Sequence, residues 1–449
     1  MVGRTDFRNP INRQRAKWWD SVFWVNLLLI VTIAFAVLPS GLSWEFELRE
    51  SLADGSLVRK FQWSSVFLLA FILAWKIRFQ YFKEFFLGNI FVWSVAFYAL
   101  LSVFWSAVPW SAFRQVVQLM GILLISYVLA VYSRNDTGRI FALALDVLVC
   151  VLLASVLMVM IDPVQGRERL MGIEGAWRGV LEQKNVLGMT SGVALLLLLY
   201  GQSAKPRSVW VFLGYLLIIL SCLLGSRSSS SLFFSVVSIG IYVSLFRQYV
   251  QSAAFFVRIF LLLLLLLILC LMVFYYFNDR FLGVGDVLGP ISEIFGKSSD
   301  LTGRSDIWEL MWESIERHWV LGMGFTSFWL GPGGPSQYIS DVLQWTVPNA
   351  HNGYLEILNE MGVLGLILYF FAIAFHMRNI FRLYAVDRCQ SAFHFALLIA
   401  FLISNFSEST AMRVTTFLQI LIFVSMMIAQ MSCMKPNASA RSLNETRVS

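Results

Sequence analysis

The stretch "RIFALALDVLVCVLLASVLMVMI", residues 139–161, is long enough to cross the hydrocarbon core of a bilayer, which takes about 20 apolar residues in a helix. Its apolar residues form a continuous run and do not alternate with polar ones, which favours a helix over a barrel strand. One acidic residue, Asp146, lies inside the run, and the sequence shows no evident partner for its charge. The stretch therefore predicts a transmembrane helix.

Similar runs recur along the whole chain. They lie near residues 21–38, 62–79, 84–105, 113–131, 139–161, 185–201, 207–224, 229–247, 254–277, 361–377, 391–407 and 412–432. The composition agrees, because 58% apolar residues, 14% charged residues and a mean hydropathy of +0.71 are incompatible with a soluble domain. The sequence predicts an all-α, polytopic membrane protein with about 12 transmembrane helices and one long periplasmic loop that carries amphipathic helices.

The distribution of charge predicts the orientation. With the N-terminus inside, most of the 34 Lys and Arg fall in inner segments, and most of the 27 acidic residues fall in outer ones. The predicted organisation is a basic cytoplasmic tail (1–20), helices 1–9 (21–277), a large periplasmic loop (278–350), helices 10–12 (351–432) and a second cytoplasmic tail (433–449). The first tail lacks a small-residue cleavage signal, so we do not interpret it as a leader.

The five cysteines show no CxxC pairing and mostly lie in or beside apolar runs. This pattern indicates neither a disulfide framework nor a zinc site, and we interpret these residues as small apolar side chains.

The long outer loop contains "RSDIWELMWESIERHW", residues 304–319, with the spacing of an amphipathic helix. Its predicted apolar face consists of Ile307, Trp308, Met311, Trp312, Ile315 and Trp319. Two interpretations remain open: a helix that lies in the membrane interface, or a helix that packs on a core of the loop itself. Loops of this length in compact proteins are usually functional.

Basic residues on short outer connections predict an anion site. Arg178, Lys184, Arg227 and Arg304 are such residues, and Arg114 follows another short turn. Guanidinium groups bind phosphate oxygens as a planar fork, and helix N-termini after Ser228 and Arg304 can add N–H donors, so a pyrophosphate is the natural ligand. For Arg114 and Arg178 the alternative is contact with lipid headgroups.

His351 is the candidate proton acceptor. It lies in "AHNGYLEILNE", residues 350–360, beside Asn352 and Tyr354, and an imidazole can accept a proton from a sugar hydroxyl. The alternative is a histidine bonded to the backbone at a helix start. Glu356 and Glu360 are one helical turn apart and share a face, and their role is left open.

The order of these outer motifs resembles the O-antigen ligase and polysaccharide polymerase family over roughly residues 90–430. The motifs are "WSAVP" (105–109), "WRG" (177–179), "KNVLG" (184–188), "SRS" (226–228), "GRSDIW" (303–308), "HNGYLEILNEMG" (351–362) and "SNFSES" (404–409). The segment before Lys184 departs from the family, with Glu182 and Gln183 where a small or aromatic residue and a His are often found. We therefore assign no proton transfer there.

The resemblance implies a multi-pass glycosyltransferase of the bacterial inner membrane, with both termini cytoplasmic and the active face periplasmic. Its implied partners are an undecaprenyl-diphosphate-linked oligosaccharide donor, a glycan or lipid-linked glycan acceptor, membrane lipids and a candidate chain-length regulator. Nucleic acid, cofactor and metal are not expected. The implied catalytic residues are Arg227 and Arg304 on the donor pyrophosphate and His351 on the acceptor hydroxyl. Arg178, Lys184, Asn352 and Arg114 are the expected substrate-binding residues.

Three functions stay open. A polymerase adds repeat units to a growing exopolysaccharide or O-antigen, a ligase joins the glycan to lipid A core, and a transporter would move lipid-linked sugars. The motifs favour a polymerase over a ligase. Transport is disfavoured because the predicted helices hold few charges and the two halves show no repeat.

Overall fold

The computed structural model describes residues 10–39, 57–134, 136–169, 175–246 and 304–434. Within these ranges the chain is helical, and β-type pairing is limited to an isolated bridge between Arg167 and Trp177. The described helices are α1 (Pro10–Val37), α2 (Leu57–Lys76), α3 (Phe82–Gly88), α4 (Ile90–Leu101), α5 (Pro109–Ser133), α6 (Thr137–Ile161), α7 (Pro163–Gly166), α8 (Lys184–Ala204), α9 (Val209–Gly225), α10 (Ser229–Phe246), α11 (Arg304–His318), α12 (Gln337–Leu343), α13 (Gly353–Tyr384), α14 (Arg388–Ser404) and α15 (Phe417–Cys433).

Five of the described helices, α2, α5, α6, α8 and α13, are long and apolar enough to cross a membrane, and the bent pair α3 and α4 makes a sixth if it counts as one span. Part of α1, together with α9, α10, α14 and α15, adds shorter apolar helices. The chain is thus an all-α membrane protein over its described part. The predicted span 254–277 lies outside the described residues, and the total of twelve stays a prediction.

The predicted span 84–105 is not a single straight helix. It is divided between α3 and α4, which are bent by 84° at Asn89. The Asn89 backbone leaves the helical region, and its buried carboxamide donates to the Phe85 carbonyl at 3.2 Å and to the Gln430 side chain. Gly88 makes room for Gln430, whose side chain occupies the space a Cβ would take. The polar side chain of Gln430 in α15 therefore stabilises a bend that the hydropathy of the span did not reveal.

Asp146, the acid inside the predicted span 139–161, has partners, contrary to the sequence-based expectation. Asp146 accepts hydrogen bonds from Arg207 Nη2 at 2.6 Å and from the Tyr215 hydroxyl at 3.0 Å. Arg207 lies in the turn before α9 and Tyr215 lies within α9, so both donors are far from Asp146 in sequence. A charge near the membrane needs such a partner, and only helix packing reveals it.

α13 is interrupted at Gly362, whose φ of 64° lies in the left-handed region that favours glycine. Two backbone groups that a continuous helix would pair with each other bond elsewhere. Met323 N–H donates to the Asn359 carbonyl at 2.9 Å, and Val363 N–H donates to the Trp319 carbonyl at 2.8 Å. The loop before α13 thus inserts its backbone into the break, which satisfies the polar groups that the break frees.

The described part of the long loop, residues 304–350, forms a small unit that we call the cap. Its core consists of Ile307, Met311, Ile315, Phe328, Trp329, Ile339, Val347 and Ala350. α11 therefore packs on the cap's own core, the second of the two interpretations. The predicted face is partly wrong, because Trp312 and Trp319 are 49% and 59% exposed. The narrower stripe formed by Ile307, Met311 and Ile315 faces inward.

Candidate active site

The floor of the site is the connection between α14 and α15, which includes the motif 404–409. Asn405 is fully buried and organises this connection. Its Oδ1 accepts from the backbone N–H groups of Thr410 at 3.1 Å and Ala411 at 2.7 Å, and its Nδ2 donates to the Phe401 carbonyl at 2.7 Å. A side chain with this many backbone bonds fixes the local path of the chain. Glu408 is consequently held on a defined turn at the end of α14.

The start of α13 docks on this turn. Gly353 N–H donates to the Asn405 carbonyl at 2.9 Å, and Asn352 N–H donates to Ser409 Oγ at 3.1 Å. Gly353 permits this approach because any Cβ there would overlap the Asn405 side chain. The two outer motifs "HNG" and "SNFSES" are therefore interlocked, and His351 lies directly beside the Glu408 turn.

Asn352 has a structural task that the sequence analysis did not assign. Its Oδ1 accepts from Tyr354 N–H at 3.0 Å and from Leu355 N–H at 3.2 Å, so it is the N-cap of α13. Its proposed contact with substrate stays a prediction. His351 precedes this cap with a φ of 49°, an uncommon backbone conformation for a histidine. The turn therefore aims the imidazole toward Glu408.

Glu408 joins three side chains from distant parts of the chain. Its Oε1 accepts from Asn185 Nδ2 at 2.7 Å and from Arg304 Nη2 at 3.3 Å, and its Oε2 lies 3.6 Å from His351 Nδ1. We call Asn185, Arg304, His351 and Glu408 the Glu408 cluster. The side chains of its three ionisable members are 14–18% exposed, so the cluster is largely shielded while still reaching the surface. Partial burial strengthens charge-assisted bonds of this kind.

Arg227 lies in the tight turn between α9 and α10, with a φ of 49° and an exposed side chain. Its guanidinium approaches Gly175, and the same turn is tied to the 175–178 segment by a bond from Trp177 N–H to the Gly225 carbonyl at 2.8 Å. The flanking serines pack against Gly188, in the second turn of the helix that carries Asn185. The Arg227 turn and the Glu408 cluster are therefore neighbours around the first turns of α8.

Two other predicted site residues lie in the segments next to the Arg227 turn and the start of α8. Arg178 is nearly buried. Its Nε donates to the Gln165 carbonyl at 2.8 Å, and its Nη2 donates to Gln165 Oε1 at 3.2 Å. This bidentate contact argues against the headgroup alternative. Lys184 is also buried, and its backbone N–H donates to Glu168 Oε1 at 2.7 Å. Arg114 is half-buried in α5, and its role in substrate binding stays a prediction.

Sequence reasoning missed Glu408 and gave Asn185 no role. A signal for Glu408 existed, because it is an acid in a short outer motif that otherwise consists of Ser, Asn and Phe. Its partners could not be known, since they come from α8, α11 and the segment before α13. Complementary charge among outer motifs would have suggested a pairing with one of several arginines.

The role of Glu356 and Glu360 was left open by the sequence. Glu356 forms a buried ion pair with Arg413 behind the site, and Glu360 is buried one helical turn away. Glu356 Oε2 accepts from Arg413 Nε at 2.7 Å, and its Oε1 accepts from Ala350 N–H at 2.8 Å. Glu360 Oε2 accepts from Thr326 N–H at 2.9 Å. Burial alone would lower the pKa of Arg413, but the two carboxylates outweigh it and raise that pKa. This arrangement ties the cap, α13 and the segment before α15 together.

Comparison with known families shows that residues 213–370 match the family described as O-antigen ligase. The matched region begins within α9 and ends within α13, and it contains Arg227, Arg304 and His351. A comparison with curated proteins finds no match. The resemblance found in the outer motifs is confirmed by the family match, which covers a narrower part of the chain than the motifs do. Over residues 213–370, this multi-pass membrane protein is therefore similar to the O-antigen ligase family.

Proposed function

We propose that the chain transfers a glycan from undecaprenyl diphosphate to an acceptor sugar hydroxyl at the periplasmic face of the bacterial inner membrane. The observation that carries the proposal is the Glu408 cluster, in which Arg304 and His351 share one carboxylate although they come from separate motifs. A fixed cation beside a group that can accept a proton is what transfer from a diphosphate to a hydroxyl requires. The family match supports the same type of activity.

In this proposal, Arg304 and Arg227 bind the donor diphosphate. A guanidinium carries five N–H donors in a planar fork that suits phosphate oxygens. Arg304 uses Nη2 for Glu408, so Glu408 orients the guanidinium. The isoprenoid chain lies among the lipid-facing helices, and its diphosphate reaches the outer ends of α8 and α10.

The chemical step is a single displacement at the anomeric carbon. The acceptor oxygen forms a bond to that carbon while the bond from the carbon to the diphosphate oxygen breaks, and undecaprenyl diphosphate leaves. The hydroxyl proton passes to His351, whose Nδ1 faces Glu408, so that Nε2 is the ring nitrogen that accepts it. Charge that develops on the diphosphate is stabilised by the two arginines. Such a displacement inverts the anomeric centre and needs no metal ion.

The proposal assigns Glu408 as a positioning residue. In Glu408→Gln, the amide oxygen still accepts from Asn185, but the charge that holds Arg304 and His351 is lost. We expect kcat to fall by about 10- to 100-fold, as for loss of one charge-assisted hydrogen bond. KM for the donor should not rise, because removal of a negative charge beside an anion site does not weaken anion binding. Steady-state kinetics with a lipid-linked glycan measures both quantities.

Glu408→Asp keeps the charge and should recover part of kcat, whereas a merely structural role would make Asp and Gln equally harmful. Glu309→Gln, which changes an acid on α11 outside the cluster, is the matched control. A Glu408→Gln enzyme with unchanged kcat, or one in which only the donor KM rises, contradicts the positioning role.

The outer motifs favour polymerisation of exopolysaccharide or O-antigen repeats, with ligation to lipid A core as the alternative. The glycan profile of a deletion strain distinguishes them. Loss of long chains with single repeats accumulating on the lipid carrier indicates a polymerase, and intact chains left on the carrier indicate a ligase. Unchanged glycans in all fractions contradict both forms of the proposal.

A further inference from the structure

The surface of the cap has an open polar depression of about 300 Å³, which we call the cavity, and none of its lining residues belongs to the Glu408 cluster. The side chains that matter for its chemistry are those of Gln337, Ser340, Asp341, Gln344, Trp345 and Thr346. They come from α12 and from the turn that follows it. Trp345 is 48% exposed, so its ring is available at the cavity wall and is not part of the cap core. Ligand sites in proteins are usually concave surfaces of this kind, with a few fixed polar groups.

The backbone around the cavity is held by local hydrogen bonds. Val347 N–H donates to Ser340 Oγ at 3.1 Å, and Gln344 Nε2 donates to the Asp341 carbonyl at 2.6 Å. Gln344 has a φ of 60°, which ends α12 and turns the chain back beside the helix. Trp345 is thereby brought next to the polar face of α12. The backbone that carries the ring and the polar groups is thus fixed before any ligand arrives.

The groups in the cavity match the chemistry of a sugar. A pyranose presents hydroxyls that both donate and accept, and a face of C–H groups that packs on an aromatic ring. Gln337 and Gln344 supply amides, Asp341 supplies a carboxylate, and Trp345 supplies the ring. Gln337 Nε2 donates to Asp341 Oδ1 at 3.4 Å within the cap, but the amides and the carboxylate are exposed and keep further donor and acceptor positions for a ligand. A phosphate is disfavoured by Asp341, since like charges repel, and a lipid chain would cover the Asp341 carboxylate without offering it a hydrogen bond.

The cavity is also close to the proposed reaction centre. The segment from Trp345 to His351 spans at most about 20 Å even when fully extended. This segment is anchored in between, because Val347 and Ala350 lie in the cap core and Trp308 Nε1 donates to the Ala350 carbonyl at 2.8 Å. A glycan whose reacting end lies at His351 can therefore reach the cavity within a few sugar units.

We propose that this cavity is a saccharide-binding subsite that holds the glycan chain of a substrate beside the reaction centre. The inference rests on the proposed function for its biological role, but sugar binding in the cavity can be measured without any transfer. A subsite remote from the reacting sugar strengthens binding of long substrates and does not alter the chemical step. Such a subsite would favour repeated transfer to or from the same glycan chain.

Direct binding is tested on the full-length protein in detergent, labelled with 5-fluorotryptophan. The ¹⁹F signal of Trp345 is assigned by its loss in Trp345→Phe. The probe is an oligosaccharide fraction released by mild acid from the surface polysaccharide of the source bacterium. A saturable shift of the Trp345 signal, with the signal of Trp312 unmoved, is the expected result. An unmoved Trp345 signal up to the solubility of the probe overturns the proposal.

The kinetic test compares Trp345→Ala and Asp341→Ala with Trp312→Ala, which removes an equally exposed ring elsewhere on the cap. Both cavity variants should raise KM for a long glycan by up to about tenfold, shorten the products and leave kcat unchanged. Varying donor and acceptor separately shows which of the two glycans occupies the cavity. The control variant should behave as the unchanged protein.

An effect of Trp345→Ala without any effect of Asp341→Ala indicates that the ring contacts lipid, and it overturns the subsite. Failure of the proposed function is recognised separately. If His351→Ala still transfers glycan, the assignment of the reaction centre is wrong, whereas the ¹⁹F titration judges the cavity regardless of that outcome.

Discussion

Replacing Arg304 with Ala is expected to lower the rate of glycan transfer by at least about 100- to 1000-fold, the effect of removing a donor that stabilises developing charge. Two losses combine in this variant. The donor diphosphate loses a guanidinium, and Glu408 loses one of its partners, so His351 is held less firmly. Arg304→Lys should recover only a small part of the rate, because an ammonium keeps the charge but not the planar fork.

The matched control is Arg317→Ala, which removes an arginine from the same helix. Arg317 is paired with Glu313, and its side chain is 70% exposed, far more than the 18% of Arg304. Exposed pairs of this type contribute little to stability, so Arg317→Ala should keep full activity. The rate of transfer per amount of membrane-inserted protein is the quantity to compare. Normal polymer from Arg304→Ala would rule out its role on the diphosphate.

His351→Ala should lower the rate of transfer by about 100- to 10,000-fold, the range of general base catalysis. The donor should still bind, because Arg304 and Arg227 are unchanged. The variant therefore separates binding from chemistry, and retention of the lipid-linked donor with loss of transfer is the expected combination. Binding of the donor is measured by co-purification of labelled lipid, and transfer is measured by the glycan product.

The matched control is His318→Ala, since His318 is exposed on α11 and contacts the Ser314 carbonyl. This variant should transfer glycan at the rate of the unchanged protein. A His351→Ala enzyme that transfers glycan at that same rate contradicts the assignment.

Much of the fold follows from local sequence. Each predicted span inside the described residues overlaps a helix, because a continuous apolar run in a membrane has to satisfy its backbone polar groups within the segment. Departures from the simple pattern depended on distant partners. The bend at Asn89 depends on Gln430, and the charge of Asp146 is compensated by Arg207. Hydropathy reports the composition of one segment and carries no information on what packs against it.

The candidate site also combines features that are visible in local sequence with features that depend on distant partners. Arg304 and His351 were identified from the sequence because their residue types, next to short turns on one predicted side, suit an anion and a proton acceptor. The docking that brings them together was not visible, since it depends on Gly353 lying against Asn405 and on the turn that presents Glu408. Glu408 therefore had no assigned role, although its motif had been noticed.

The sequence by itself determined that the protein is a helical membrane protein, which motifs are candidates for its chemistry, and which family those motifs resemble. These features are local, because helix length, apolar run and residue type can be read within a short window of the chain. Only the tertiary structure decided which motifs meet, where α13 breaks to accept the cap, and where the polar cavity of the cap forms. These features depend on hydrogen bonds and ion pairs between residues far apart in the chain, and such pairs exist only after the helices have packed.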